Sequence, residues 1–561
     1  MKGKHNYTKQ LNTKSYKFRF NKHELLGTPD AETDRILDKV FIDTGAFDVL
    51  DDVDNPKCII VGRTGSGKSA LIKRLLDNED KITRIAPESM SLKFLSNSTI
   101  LDYFRTLDVK LNFFYKVLWK HVFVVEILKL YLGDTEQKKQ SLLQNLWSSI
   151  GKGGKSDNTK KAAIQYFDKW SDEFWLKTEH RIKTLERDLE KKFCLEAGVD
   201  SNFIKAGTKA DTTVNEKNTA EIKYKAEQII SDIQADDLIN LIDLLRTEVF
   251  NNNQRRFYIV IDDLDKEWVS PQIVYDLIGA MVEVIKEFQE KFKGVKIIIA
   301  LRDNLHQVIF SGKEHRGGQR EKFAPLFLNL TWDNYSLKEL INSRIQLLSD
   351  AQLSIANVFD KSGKSKITGL DYIIERTYMR PRDIISYFNK TVECANNKTH
   401  LTNSLIKQAE SAYSIERLQA LEDEWAENYG DISKCYNFLF GVHNGFNIYN
   451  IKEEPFSSVL FESDSKNSVK GELYLIIDKW KKSKLKPDDF RLFISELLFI
   501  FYRIGIIGIK RKPELKTEFF YNSEVLIHSS DFDNNVKIYV HKALFSALKI
   551  NSKEQEVDFL D

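Results

Sequence analysis

Cysteine is scarce in this 561-residue sequence: Cys58, Cys194, Cys394 and Cys435 are the only four, and none stands in a C-x-x-C spacing. That spacing excludes a disulfide framework and a Cys-based zinc site, and it fits a reducing cytosol. Charge of one sign is also lacking. With a net charge of +2, no global field demands nucleic acid or a membrane, and any basic surface has to be local. Long apolar runs are missing too. The best candidate, residues 111–132, is interrupted by Lys116, Lys120, Glu126 and Lys129, and so reads as a core helix rather than a membrane span. No apolar h-region follows Met1, so no secretory signal is expected. These absences predict a cytoplasmic protein without a membrane partner.

What is present is enough apolar material, 42% of residues, for buried cores, and a length that predicts three to four domains. Residues 1–29 read as a basic N-terminal tail: the first 23 hold six Lys, one Arg and no acid. That composition fits either a solvated leader or a phosphate-backbone contact. Residues 30–98 begin an α/β core, with an amphipathic run from Asp34 and a short buried strand at 58–61. Residues 99–252 read as a helical insertion, with helices at 113–132, 162–193 and 238–249 and a Gly-rich linker at 151–157. Residues 253–332 resume the core. The continuous apolar runs 257–261 and 295–301 suit strands of a parallel sheet covered on both faces, joined by a crossover helix at 271–292. A shorter strand is expected at 327–330. Residues 333–430 read as a helical lid, with helices at 336–348 and 371–389, and residues 431–561 as a last domain.

Residues 62–69, Gly-Arg-Thr-Gly-Ser-Gly-Lys-Ser, fit G-x-x-x-x-G-K-[ST] in full. By average composition such a run arises by chance in roughly 0.02 chains of this length. It follows an expected strand and opens an expected helix, as the chemistry requires. The glycines let successive N–H groups curl around phosphate oxygens, and the helix N-terminus adds a favourable dipole. Gly62, Arg63, Thr64, Gly65, Ser66, Gly67, Lys68, Ser69 and Ala70 are the expected nucleotide-binding set. Within it Lys68 reaches the β- and γ-phosphates and Ser69 ligates Mg2+. ATP is expected rather than GTP, because Asn389-Lys390 is followed by Thr-Val and no N-K-x-D motif exists. Ser362-Gly-Lys-Ser lacks the first glycine and a preceding strand, and reads as a loop.

Residues 259–265, Ile-Val-Ile-Asp-Asp-Leu-Asp, put carboxylates at the C-terminal end of a buried strand, where ligands of open α/β sheets sit. Asp262 is expected to hold Mg2+ through water, and Asp263 to polarise the attacking water. Asp265 is either catalytic or part of the turn. Arg302, ending the strand 295–301, either faces the γ-phosphate or forms a surface pair with Asp303. In Tyr378-Met-Arg-Pro-Arg-Asp383, Pro381 presets a helical turn and Asp383 suits its dipole. Arg382 is then either held towards the nucleotide or solvated. Arg316 or Arg320, in the loop 315–322, either reaches a neighbouring subunit's phosphates or belongs to a plain basic loop.

Four runs together resemble the STAND and KAP-type branch of the AAA-related ATPases, which borders on the origin-recognition-like ATPases. They are G-R-T-G-S-G-K-S at 62–69, I-V-I-D-D-L-D at 259–265, K-I-I-I-A-L-R at 296–302 and R-P-R-D at 380–383. The resemblance covers residues 30–395 less the insertion, and it implies a P-loop NTPase core in which nucleotide switches a homo-oligomer. It also implies a bacterial anti-phage defence setting beside a separate effector protein. Asp263 stands where many AAA enzymes carry Glu, which implies slow hydrolysis. The end of the chain resembles a winged helix: a helix at 490–502, strands at 518–521 and 536–540, and a closing helix at 543–548. Such modules bind DNA or protein, and Lys510, Arg511 and Lys512 are the electrostatic hint for DNA. The rival reading is an origin-recognition-like DNA-binding loader.

Overall fold

The computed structural model describes residues 17–87, 95, 97–132, 140–141, 144–145, 147–148, 161, 164–165, 174–199, 216–232, 236–251, 256–264, 268–269, 271–311, 320–360, 367–456, 471–483, 486–523, 527–533 and 535–551. The expected linker 151–157, Asp265, Arg316 and the decoy loop 362–365 lie outside the described residues. The chain divides into two compact units, Asp43–Thr331, and Met1–Ile42 with Trp332–Asp561.

In the unit Asp43–Thr331 a helix α1 (Ala46–Asp51) leads to strand β1 (Ile59–Gly62), helix α2 (Lys68–Asn78) and strand β2 (Ile82–Ile85). Helices α3 (Thr99–Thr106), α4 (Asn112–Leu132), α5 (Phe174–Ala197), α6 (Glu216–Asp232) and α7 (Asp236–Leu244) follow. Then come β3 (Phe257–Ile261), α8 (Pro271–Lys291), β4 (Val295–Arg302), α9 (Asp303–Ser311) and β5 (Phe327–Asn329). The five strands form one parallel sheet in the order β2-β3-β4-β1-β5. Strands β1 and β3 are buried at every residue, which is why they read as unbroken apolar runs in the sequence. β1 connects towards the β2 edge and β4 towards the β5 edge. Right-handed crossovers therefore pass on opposite faces, and a crevice opens over the C-terminal ends of β1 and β4.

The long helix α4 shows why the run 111–132 carries charge. Lys120 pairs with Glu287 at 2.8 Å, and Lys116 pairs with Glu283, both acids standing on α8. Trp119 donates its indole N–H to the Leu277 carbonyl at 2.9 Å and meets Trp268 edge-on. The first long helix of the insertion thus covers the sheet beside α8. At the N-terminal end of the central strand β4, Lys296 is fully buried and donates to the carbonyls of Val49 (2.7 Å) and Asp52 (2.6 Å), tying down the end of α1. Burial pushes its ammonium down to about 8.

The second unit contains α10 (Asn334–Leu348), α11 (Gly369–Glu375), α12 (Pro381–Cys394), α13 (Asn403–Tyr429), α14 (Gly471–Lys482) and α15 (Pro487–Ile504), then a hairpin-like ribbon of β6 (Ile507–Lys510) and β7 (Lys537–Val540). Asp333, Thr368 and Thr402 cap α10, α11 and α13 through side-chain oxygens. One apolar cluster runs from Phe20 to Ile550, so residues 333–430 and 431–561 share a core.

Three sequence expectations change here. The helix read across 371–389 is two helices, broken at Met379 (φ 53°) with Pro381 opening the second. The first strand read at 518–521 lies at β6 instead, and Glu518 touches it through a single bridge to Ile509. The described part of the expected tail is packed: Phe20 is buried, accepts from Asn397 N (2.8 Å) and donates to Lys398 O (2.9 Å). Arg344 and Asp34, both buried, pair at 2.7 Å, and Arg344 also donates to Leu26 O. Apolar Phe20 and Leu26 outweigh the basic composition that surrounds them. Among the described residues no helix is long and apolar enough to cross a membrane.

Candidate functional site

The glycine-rich loop joins β1 to α2, and its shape depends on its glycines. Gly65 and Gly67 take φ of 77° and 99°, in the left-handed region that costs L-residues free energy. A Cβ on Gly62 would lie 2.5 Å from Ser66 Oγ. The loop is tied by Ser66 N donating to Arg63 O (3.1 Å), and α2 begins with Leu71 N donating to Gly67 O (3.0 Å). Lys68, first residue of α2, turns its ammonium back onto the loop and donates to the carbonyls of Gly62 (2.7 Å) and Arg63 (3.1 Å). Thr64, Ser69 and Ala70 complete the segment, each partly exposed.

Beside the loop, β3 ends in the acid pair. Asp262 is 5% exposed, and its Oδ2 accepts from Ser69 Oγ at 3.3 Å. Its Oδ1 accepts from Asp263 N at 2.9 Å. Burial pushes the Asp262 carboxyl above its ordinary value and the neighbouring Asp263 charge adds to this, while Arg84 and the Ser69 hydroxyl pull it down. Asp263 takes φ of 61°, a left-handed conformation that Asp tolerates better than most residues. The guanidinium of Arg84 bridges both acids, 3.5 Å from Asp262 Oδ2 and 3.2 Å from Asp263 Oδ2. β2 pairs with β3 so that Arg84 lies beside Val260, two residues before Asp262.

Arg302 stands directly across from Gly62 in the β1–β4 register. Asp303, the alternative partner for Arg302, accepts from Gln307 Nε2 at 2.9 Å. Burial pushes its carboxyl up, and Arg63 and Lys68 of the loop pull it down. Lys68, Ser69, Asp262, Asp263 and Arg302 thus converge on the C-terminal ends of β1, β3 and β4. The sequence missed Arg84 and the orientation of Asp303. A lone arginine in the four-residue strand Ile-Thr-Arg-Ile offers no motif, and only the pairing of β2 with β3 would have pointed to it.

The donor chemistry fits a magnesium nucleotide. Ser69 and Asp262 present a hydroxyl and a carboxylate oxygen in mutual contact, hard ligands of the kind Mg2+ takes, and the loop N–H groups lie at a helix N-terminus. Among the described residues no cluster of three or more His, Cys, Asp or Glu offers a rival metal site.

Arg382 belongs to the other unit, where its half-exposed side chain lies 3.8 Å from Asp30. Its neighbours in the R-P-R-D run are structural. Asp383 is 1% exposed and accepts from Arg380 Nε (2.7 Å), Arg417 Nη1 (2.8 Å) and Tyr378 N (3.2 Å). Arg320 opens a short helix, Arg320–Phe323. On the ribbon, Lys510 stands directly across from Lys537, and Arg511 makes a two-fold contact with Glu518 at 2.8 and 2.9 Å.

A family model described as a FunZ-associated C-terminal helical domain matches residues 335–422, from α10 through most of α13. That domain is a defence-associated one. The chain is also similar, at 21% identity over 546 residues, to a protein of Escherichia coli (strain K12) named "Putative transposon gamma-delta 80.3 kDa protein". The match covers 95% of this chain and 68% of that protein.

Proposed function

We propose that the unit Asp43–Thr331 is a P-loop ATPase core that drives an oligomerising switch in a bacterial defence system. The observation that carries this reading is the 3.3 Å contact between Ser69 Oγ and Asp262 Oδ2. Two residues 193 positions apart meet as a hydroxyl–carboxylate pair at the mouth of a glycine-rich loop. Lys68 would leave the Gly62 and Arg63 carbonyls for phosphate oxygens, exchanging neutral acceptors for charged ones. Mg2+, when bound, would supply positive charge to the phosphates. Ser69 and Asp262 would hold it, Asp263 would orient water, and Arg302, level with Gly62, would face the terminal phosphate. The defence-associated match over residues 335–422 supports the setting. A separate effector follows from the resemblance of the core, and the sequence holds no nuclease or protease motif.

A second reading, an origin-recognition-like DNA-binding ATPase, draws on one observation. Lys510 and Lys537 face each other across the two-stranded ribbon, a like-charge pairing that costs stability and that a polyanion would relieve. Salt-sensitive duplex binding, lost in Lys510→Glu, favours that reading; a log affinity flat against log salt rejects it.

The primary test is ATP hydrolysis by the purified chain against Lys68→Ala and Asp263→Ala, with light scattering to follow size. Turnover in the wild type, lost by about a hundredfold or more in both variants, is the expected result. Turnover that survives Lys68→Ala rejects the site.

A further inference from the structure

We infer that Arg84 competes with the divalent cation for Asp262 and so sets the metal dependence of nucleotide binding; this rests on the ATPase reading above. Arg84 lies outside every motif in the sequence, yet its guanidinium bridges the two carboxylates that end β3, at 3.5 and 3.2 Å. The oxygen it approaches on Asp262, Oδ2, is the one that accepts from Ser69. One carboxylate oxygen is therefore shared between the hydroxyl that would ligate the metal and a fixed positive charge.

Electrostatics gives this arrangement a direction. Asp262 is buried, and Asp263 beside it adds a like charge. Arg84 offsets that repulsion in the metal-free protein. A cation held by Ser69 and Asp262 takes over the same role and meets the guanidinium as a like charge. Arg84 also has somewhere to go. Its side chain is 37% exposed and its shorter contact is to Asp263, so it can stay on the second acid while leaving the first. Both contacts come from the one nitrogen Nη2, and a lysine brings the same charge on a more strongly hydrated ammonium, so Lys at this position should reproduce only part of the effect. Arg84 is in this sense a positioning residue for Asp263 and a competitor at Asp262.

The experiment titrates Mg2+ into the full chain with a methylanthraniloyl derivative of ATP and reads the Mg2+ concentration at half of the fluorescence change. In Arg84→Gln that half-point is expected to fall by about threefold to tenfold, since a half-exposed ion pair of this kind opposes the metal by an amount of that order. In excess chelator, where nucleotide binds without metal, Arg84→Gln is expected to bind no more tightly than wild type, since both carboxylates then face the phosphates without their counter-charge. Arg84→Lys is expected to shift in the same direction by less, and it serves as the test if the Gln variant does not fold. A half-point that is unchanged or raised in these variants, with wild-type nucleotide binding intact, overturns the role of Arg84 alone. A wild-type protein that binds no nucleotide at any Mg2+ concentration overturns the ATPase reading and this inference with it.

Discussion

Glu126 and Asp262 are both buried carboxylates with pKa values pushed up by burial, and the difference between them separates structure from site. Asp262 has Arg84, Ser69 and a backbone N–H around it at the C-terminal end of β3. Glu126, 1% exposed on α4, has the Thr83 hydroxyl at 3.2 Å and Lys129 at 3.5 Å, and lies on the covered face of β2. Because the folded-state pKa of Glu126 is raised, the stability it contributes is fully present below the ordinary value of 4.5. That contribution is lost as pH rises through the folded value. Above the folded value the charge of this buried side chain therefore opposes folding. Glu126→Gln keeps an acceptor for Thr83 and removes the charge, so at pH 7 it should raise the melting temperature by a few degrees, on the order of 1 kcal/mol. The gain should shrink as pH falls towards 4.5. Thermal melts at the two pH values check this, and a destabilised variant at pH 7 would contradict it. The same comparison explains what was legible at the residue scale. Lys68 and Ser69 are named by the spacing of the glycine-rich run, and Asp262 and Asp263 by the buried apolar run that they end. Arg84 and Asp303 act through strand pairing and through space, which spacing does not encode.

At the scale of elements, the break between α11 and α12 shows how a buried charge can override helical periodicity. Residues 371–389 carry an apolar pattern fit for one helix, yet the chain turns at Met379 with positive φ and restarts at Pro381. Asp383 gathers the Tyr378 backbone N–H and the guanidinium groups of Arg380 and Arg417, and Glu424 stands 3.9 Å from both arginines. Removing the central charge leaves two buried cations with one distant acid. Asp383→Asn should cost roughly 3 kcal/mol or more, in the range for breaking a buried ion pair. Asp30→Asn, at the half-exposed partner of Arg382, should cost less than about 1 kcal/mol. Urea denaturation followed by circular dichroism distinguishes them, and equal midpoints for the two variants would show that the buried network contributes little. The core strands were legible for the opposite reason. β1, β3 and β4 are covered on both faces, and their apolar β-branched runs leave little else to form. The ribbon strand β6 is hard to read from sequence because Gly508 interrupts its short apolar run, and the aromatic run 519–521 reads as the better strand. Phe519 instead packs over Gly508, where a Cβ would lie 2.7 Å from its ring.

At the scale of the whole molecule, the candidate residues fall in two compact units. Lys68, Ser69, Arg84, Asp262, Asp263 and Arg302 all belong to Asp43–Thr331, whereas Arg382 belongs to the unit that holds the defence-associated match. A switch needs nucleotide to favour one arrangement over another by differential contact. The sequence leaves Arg382 either held towards nucleotide, where a guanidinium would gain from a charged phosphate partner, or solvated, and its substitution decides between the two. Its present partner, Asp30 at 3.8 Å and itself half exposed, holds it weakly. Arg382→Ala should therefore leave binding of the fluorescent nucleotide within about threefold of wild type, as expected for loss of one exposed contact. It should reduce ATP turnover by about a hundredfold, the usual cost of one missing charge at a transferring phosphoryl group. ATP-dependent growth in light scattering should fall with it. If turnover and assembly both survive the substitution, the second unit responds to nucleotide through some other contact, and Arg382 is a solvated helix-start residue. If turnover survives but assembly is lost, the arginine belongs to the signal that leaves the ATPase core rather than to the chemistry within it.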